Sequence, residues 1–132
     1  MKDTAAARPR WMTAMAAFCA LGAAFLIYRD FAIPAVRGVE VWLGFELRGR
    51  AALLTAPLHW AIPAAGAWAF WTQQRWIPLA TALYLHYVAL SHLIWSETSA
   101  NGRGWAMGLL QAALFSALAI PFWRAHRAAR AR

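Results

Sequence analysis

Four stretches without a formal charge divide this chain: 18 residues between Arg10 and Arg29, 24 between Arg50 and Arg75, 21 between Arg75 and Glu97, and 20 between Arg103 and Arg124. A hydrocarbon core of roughly 30 Å takes about 20 helical residues at about 1.5 Å of rise each, and tilt absorbs any surplus. Each stretch therefore predicts one membrane-spanning α-helix. None shows the period-two alternation of a spanning strand. The spans are expected at about 11–28, 51–71, 76–95 and 105–123, giving an all-α integral membrane four-helix bundle in a single domain over residues 1–132.

Composition agrees, since 62% of the residues are apolar and only 14% charged. A soluble domain of this size has too little interior to hide that much apolar surface. Thirteen Lys and Arg against five Asp and Glu give a net charge of +8, but the basic residues flank the apolar stretches. Anionic lipid headgroups are the natural counter-charge, and nucleic acid is not expected.

Orientation follows from the same residues. Lys2, Arg8, Arg10, Arg75, Arg124, Arg127, Arg130 and Arg132 fall on the side bearing the termini, and Arg29, Arg37, Arg48, Arg50 and Arg103 on the other. Positive residues favour the cytoplasm, which predicts a multi-pass protein of the cell (inner) membrane with both termini inside. Trp11, Trp71, Trp76, Trp95, Trp105 and Trp123 fall at expected span ends, where indoles sit at headgroup level.

The basic residues before the first stretch resemble the start of a signal peptide, but Phe18 before Cys19 makes a poor lipoprotein cleavage site, so the segment is read as a span. Cys19 is the sole cysteine, which excludes an intramolecular disulfide and assigns it to packing. Gly22 and the alanines suit close helix contact, and Pro57 and Pro63 are expected to bend the second span. No internal repeat is present, which argues against an inverted-repeat transporter. The basic stretch from Arg124 onward reads as a frayed tail.

The segment between the first two spans carries too many charges for hydrocarbon. Wound as a helix over 34–47, it gathers Arg37, Glu40, Gly44 and Arg48 on one face and Val36, Val39, Trp42 and Leu43 elsewhere. That predicts an interfacial amphipathic helix. Glu46 then falls about 180° from Arg37 among apolar side chains and needs Arg48, Arg50, Arg103 or His92 as a partner, or else a proton.

His59 and His86 are expected at similar depth in the second and third spans. Two such imidazoles facing each other are the low-spin haem b arrangement, with hydrogen-bonded core histidines as the competing and preferred reading. His92 sits near the outer boundary beside Trp95, Ser96 and Glu97, within reach of Glu46. Thr81, Tyr84, Tyr87 and Ser91 form a polar stripe on the third span. It is expected either to bond to other helices, the preferred reading, or to line a cavity. The candidate ligand-binding residues are accordingly Glu46, His92, Glu97, Tyr84 and Ser91.

There is no Cys-x-x-Cys, no His-Glu-x-x-His, no phosphate loop and no nucleophile elbow, so soluble-enzyme chemistry is not indicated. The leading expectation is a small non-catalytic membrane protein that self-associates or joins a larger membrane complex as an accessory subunit. One alternative is a binding protein or enzyme for a lipophilic small molecule such as a quinone, lipid or isoprenoid, held in an outer-leaflet polar pocket. Another is a haem-binding electron carrier through His59 and His86, and a further one, a small channel or exporter, would need oligomerisation to form a pore.

Overall fold

The computed structural model describes residues 8–131, so Lys2 and Arg132, which enter the charge bias, lie outside the described residues. Four helices, α1 (Arg10–Ala32), α2 (Arg50–Trp71), α3 (Ile77–Thr98) and α4 (Gly104–Arg130), carry the fold. Between α1 and α2 stands an antiparallel hairpin of β1 (Val39–Trp42) and β2 (Phe45–Arg48). Helices α1, α3 and α4 are long and apolar enough to cross a membrane. Helix α2 is as long as α3 but carries Pro57 and Pro63 inside it and is not among these three.

The hairpin corrects the helix expected over 34–47. Gly38 and Gly44 would each weaken a helix by about 1 kcal/mol, whereas β-branched Val39 and Val41 suit a pleated ribbon. Leu43 and Gly44 both adopt positive φ, +50° and +84°. Two such residues form the tight loop whose twist matches that of paired strands. The register pairs Val39 with Arg48, Glu40 with Leu47, Val41 with Glu46 and Trp42 with Phe45. Directly opposed residues share a face, so Val39, Val41, Glu46 and Arg48 look one way and Glu40, Trp42, Phe45 and Leu47 the other.

Helix boundaries differ from expectation for identifiable reasons. Helix α1 continues four residues past Tyr28 because Arg29 and Asp30 find partners, and it stops at Ala32 because Ile33 precedes a proline and is forced extended. Helix α3 opens with Pro78 in its first turn, where the missing N–H costs no helical bond. Helix α4 runs to Arg130, so the basic stretch expected to fray is helical. At about 1.5 Å per residue its length comes to roughly 40 Å, more than a bilayer's hydrocarbon core.

Successive helices run antiparallel and associate as two pairs, α1 with α2 and α3 with α4, which meet each other sparingly. The pairs join at the end bearing the termini, where Ala16, Ala69, Phe70 and Ile77 are buried and Met12, Met15, Cys19 and Phe122 close around them. Within the α3–α4 pair the backbones approach closely at Gly108, where an added Cβ would lie 3.0 Å from that of Ser96. The hairpin bridges the pairs at the opposite end, touching both α2 and α3.

The buried apolar residues are eight alanines with Phe70 and Ile77, while Leu54 (78% exposed), Leu21 (71%) and Phe18 (69%) point outward. Large apolar groups outside and small ones inside is the reverse of a water-soluble core. It is the distribution expected when helices pack closely in a solvent as apolar as leucine.

Candidate functional site

Because the two helix pairs diverge beneath the hairpin, a half-open cavity of about 600 Å³ remains between them. Its roof is the hairpin face bearing Val39, Val41, Glu46 and Arg48, with Ala35 and Val36 continuing the apolar part. Leu26 and Arg29 of α1 and His59 of α2 form one wall. The opposite wall is α3, from Tyr84 through Tyr87, Ser91 and His92 to Trp95. Tyr84 is the lining residue furthest from the hairpin along α3 and is 40% exposed, so this end opens to the molecular surface.

The hairpin is fixed over the cavity by its turn. The backbone N–H of Leu43 donates to the Tyr87 hydroxyl at 3.1 Å, and Thr98 Oγ1 donates to the Gly44 carbonyl at 3.3 Å. A Cβ at residue 44 would sit 2.5 Å from Ile94 Cβ and 2.6 Å from the Ser91 carbonyl. Only glycine allows the turn to lie this close to α3 while holding positive φ.

Glu46 is held at the hairpin's α3 side. Its carboxylate accepts from Ser99 Oγ at 2.6 Å, from Arg48 Nη2 at 2.6 Å and from the Trp95 indole N–H at 3.2 Å. The Ser99 hydroxyl, then the Arg48 and Trp95 donors, hold its carboxyl below the usual carboxylate range. Of the partners expected for it, Arg48 is the one found. Ser99 and Trp95 supply the remainder.

A denser network lies on the α2 side. Glu40 is 3% exposed, and Arg29 Nη2 donates to its Oε1 at 2.9 Å. The same guanidinium also binds Asp30 at 2.6 Å, and the Trp60 indole N–H reaches the other Asp30 oxygen at 2.7 Å. The second Glu40 oxygen meets His59 Nδ1. Trp42 lies flat on the imidazole, with ring centroids 4.2 Å apart and planes 2° from parallel. Each charge in this network thus has a neighbour of opposite sign or a hydrogen bond, the condition on which burial becomes tolerable.

Four of the five candidate ligand residues come together: Glu46, Tyr84, Ser91 and His92 all line the cavity, and His92 lies flat against Phe115 of α4 at 5.0 Å. Glu97 does not join them; it is exposed on the last turn of α3. The polar stripe on α3 resolves mainly as a cavity wall, although the Tyr87 hydroxyl also anchors the hairpin. His59 and His86 have separate partners. His59 lines the cavity beside Glu40, whereas His86 is exposed and its Nε2 accepts from the Trp123 indole. Among the described residues there is no group of three or more His, Cys, Asp or Glu able to hold a metal ion.

Sequence reasoning missed Glu40, Arg29, Asp30 and Trp60. The helical projection put Glu40 on a polar face, but the alternation Val39-Glu40-Val41-Trp42 signals a strand in which Glu40 and Trp42 share a side. No family model matches this chain, and comparison with the curated proteins and with the solved structures finds no match.

Proposed function

We propose that this chain is an integral protein of the inner membrane, crossed by all four helices with both termini cytoplasmic, and that it binds a lipophilic small molecule in the cavity beneath the hairpin. The observation that carries the binding role is the cavity itself. At about 600 Å³ it falls within the roughly 300–1,000 Å³ of small-molecule sites, and it combines apolar lining from Leu26, Val36, Val39, Val41 and Val88 with a few converging polar groups.

The membrane reading rests on the outward-facing Leu and Phe side chains, the basic residues clustered toward the termini, and helix lengths that match a bilayer. Helix α2 suits this arrangement as the fourth span, because its polar His59 faces the network with Glu40 and not lipid. The cavity then lies toward the outer leaflet, where a molecule with an apolar body and a polar end can enter from the bilayer. A site enclosed by one chain favours ligand binding over a purely associative role in a larger complex.

The test is native mass spectrometry of protein released from its own membrane in mild detergent. The wild type should carry one small-molecule adduct, and Val88→Trp, which fills the α3 wall of the cavity, should lose it while retaining its helical content. An adduct that persists in Val88→Trp, or its absence from the wild type, would count against this function.

A further inference from the structure

We infer that the Glu40–His59 pair makes the cavity selective for a lipophilic phenol or hydroquinone, a ligand that presents an O–H donor to His59 Nε2. This rests on the cavity being a small-molecule site and names the chemistry that site recognises.

His59 Nδ1 is engaged by Glu40 Oε2, and with the carboxylate ionised that bond requires the proton on Nδ1. In the neutral ring Nε2 is then an acceptor. It has no hydrogen-bond partner among the described residues and is not among their fully buried unpartnered atoms, and His59 lines the cavity. A carboxylate that fixes tautomer and ring direction, leaving the far nitrogen to a reacting or binding group, is a general way of preparing an imidazole to take a proton or hydrogen bond.

Two further contacts hold this arrangement. Trp42 covers one face of the ring, which stops it turning. Arg29 occupies the other Glu40 oxygen and is itself held by Asp30, so the carboxylate has one orientation. A ligand hydroxyl can therefore donate a hydrogen bond to Nε2. A ligand with only carbonyl or ether oxygens offers that nitrogen nothing.

The walls specify the rest of the ligand. Tyr84 and Tyr87 stand side by side with rings 5.8 Å apart and 20° from parallel, a surface suited to a flat ring. Leu26, Val36, Val39, Val41 and Val88 complete an apolar lining suited to a ring and alkyl chain. The lining cations, Arg29 and Arg48, are already paired with carboxylates, so a neutral ligand fits better than an anion. Glu40 here is a positioning residue and His59 the binding group.

The experiment measures binding of 4-decylphenol and of its methyl ether, which keeps the body and loses the donor, to full-length protein in phosphatidylcholine nanodiscs. Wild type should bind the phenol roughly tenfold more tightly than the ether, the size of one hydrogen bond. His59→Phe should bind both equally. In Glu40→Gln the amide carbonyl goes to Arg29 and the NH₂ faces Nδ1, which moves the ring proton to Nε2 and should erase or invert the preference. Nitrogen-15 spectra of histidine-labelled wild type provide a reading independent of how the variants fold: the His59 Nε2 signal should shift with the phenol and not with the ether. Equal binding of both compounds to wild type, or no Nε2 shift with the phenol, would overturn the donor selectivity while leaving the cavity as a binding site. Binding of neither would remove both.

Discussion

Glu40 of β1 and His59 of α2 lie 19 residues apart in sequence and meet through a carboxylate oxygen and an imidazole nitrogen, with Arg29 of α1 on the other oxygen at 2.9 Å. One side chain thereby ties the hairpin to both helices of the first pair. Its 4% side-chain exposure means that water cannot replace a lost partner. Glu40→Leu leaves Arg29 to Asp30 alone and His59 Nδ1 without its acceptor, and should destabilise the fold by about 1–3 kcal/mol, the cost of buried polar groups left unsatisfied. Glu40→Gln keeps both hydrogen bonds and should cost less. Thermal unfolding in detergent, followed by circular dichroism, ranks the two. Equal melting temperatures would contradict the burial described for this network.

The hairpin's seat on α3 depends on Gly44. Gly44→Ala combines a positive φ with a Cβ 2.5 Å from that of Ile94, so the turn must lift. The strain of overpacking should add about 1–3 kcal/mol to the backbone term. Gly38→Ala is the control, since its φ is also positive but nothing lies within 4 Å, leaving only the roughly 1–2 kcal/mol of the left-handed conformation. Unfolding curves should place Gly44→Ala well below Gly38→Ala, and the Gly44 variant should also lose ligand.

Acid should loosen the other side of the hairpin. The Glu46 carboxyl titrates below its ordinary value because Ser99, Arg48 and Trp95 donate to its ionised form. A depressed pKa contributes stability that is fully present above the unfolded value and is lost as pH falls through the folded one. Melting temperature should therefore drop as pH moves from neutral into the acid range, and Glu46→Gln should flatten that part of the profile. Because Glu46 also lines the cavity, the same variant should weaken ligand retention. A variant unchanged in both respects would place Glu46 outside the site.

Topology has its own check. Single cysteines at Ala100, in the turn between α3 and α4, should react with an impermeant maleimide on intact cells in a Cys19→Ala background. Those at Gln74 or Ala128 should react only after permeabilisation. The reverse pattern would invert the orientation.

The helices were legible in the sequence because length between charges is a one-dimensional property. Their ends were less so, because Arg29 and Asp30 read as loop residues until Glu40 and Trp60 are brought beside them. The segment from 34 to 47 shows how a helical wheel can mislead: it assigns a face to any sequence, and here the period-two alternation and the two glycines, Gly38 and Gly44, were the better guide. Glu46, Tyr84, Ser91 and His92 were found because polar groups stand out in an apolar chain. Glu40 was not, since its importance comes from His59 and Arg29 on two other elements, and such pairing has no local signature.

The central claim, a single ligand held beneath the hairpin in a membrane-embedded bundle, is tested most directly by a structure of the protein purified from its own membrane and crystallised from a lipidic phase. Density should fill the space between His59 and the Tyr84–Ser91 face of α3, with a polar atom within hydrogen-bond distance of His59 Nε2 and an apolar portion leaving past Tyr84. Helices α2 and α3 closed together with no such space, or a cavity filled by the chain's own side chains, would contradict the account.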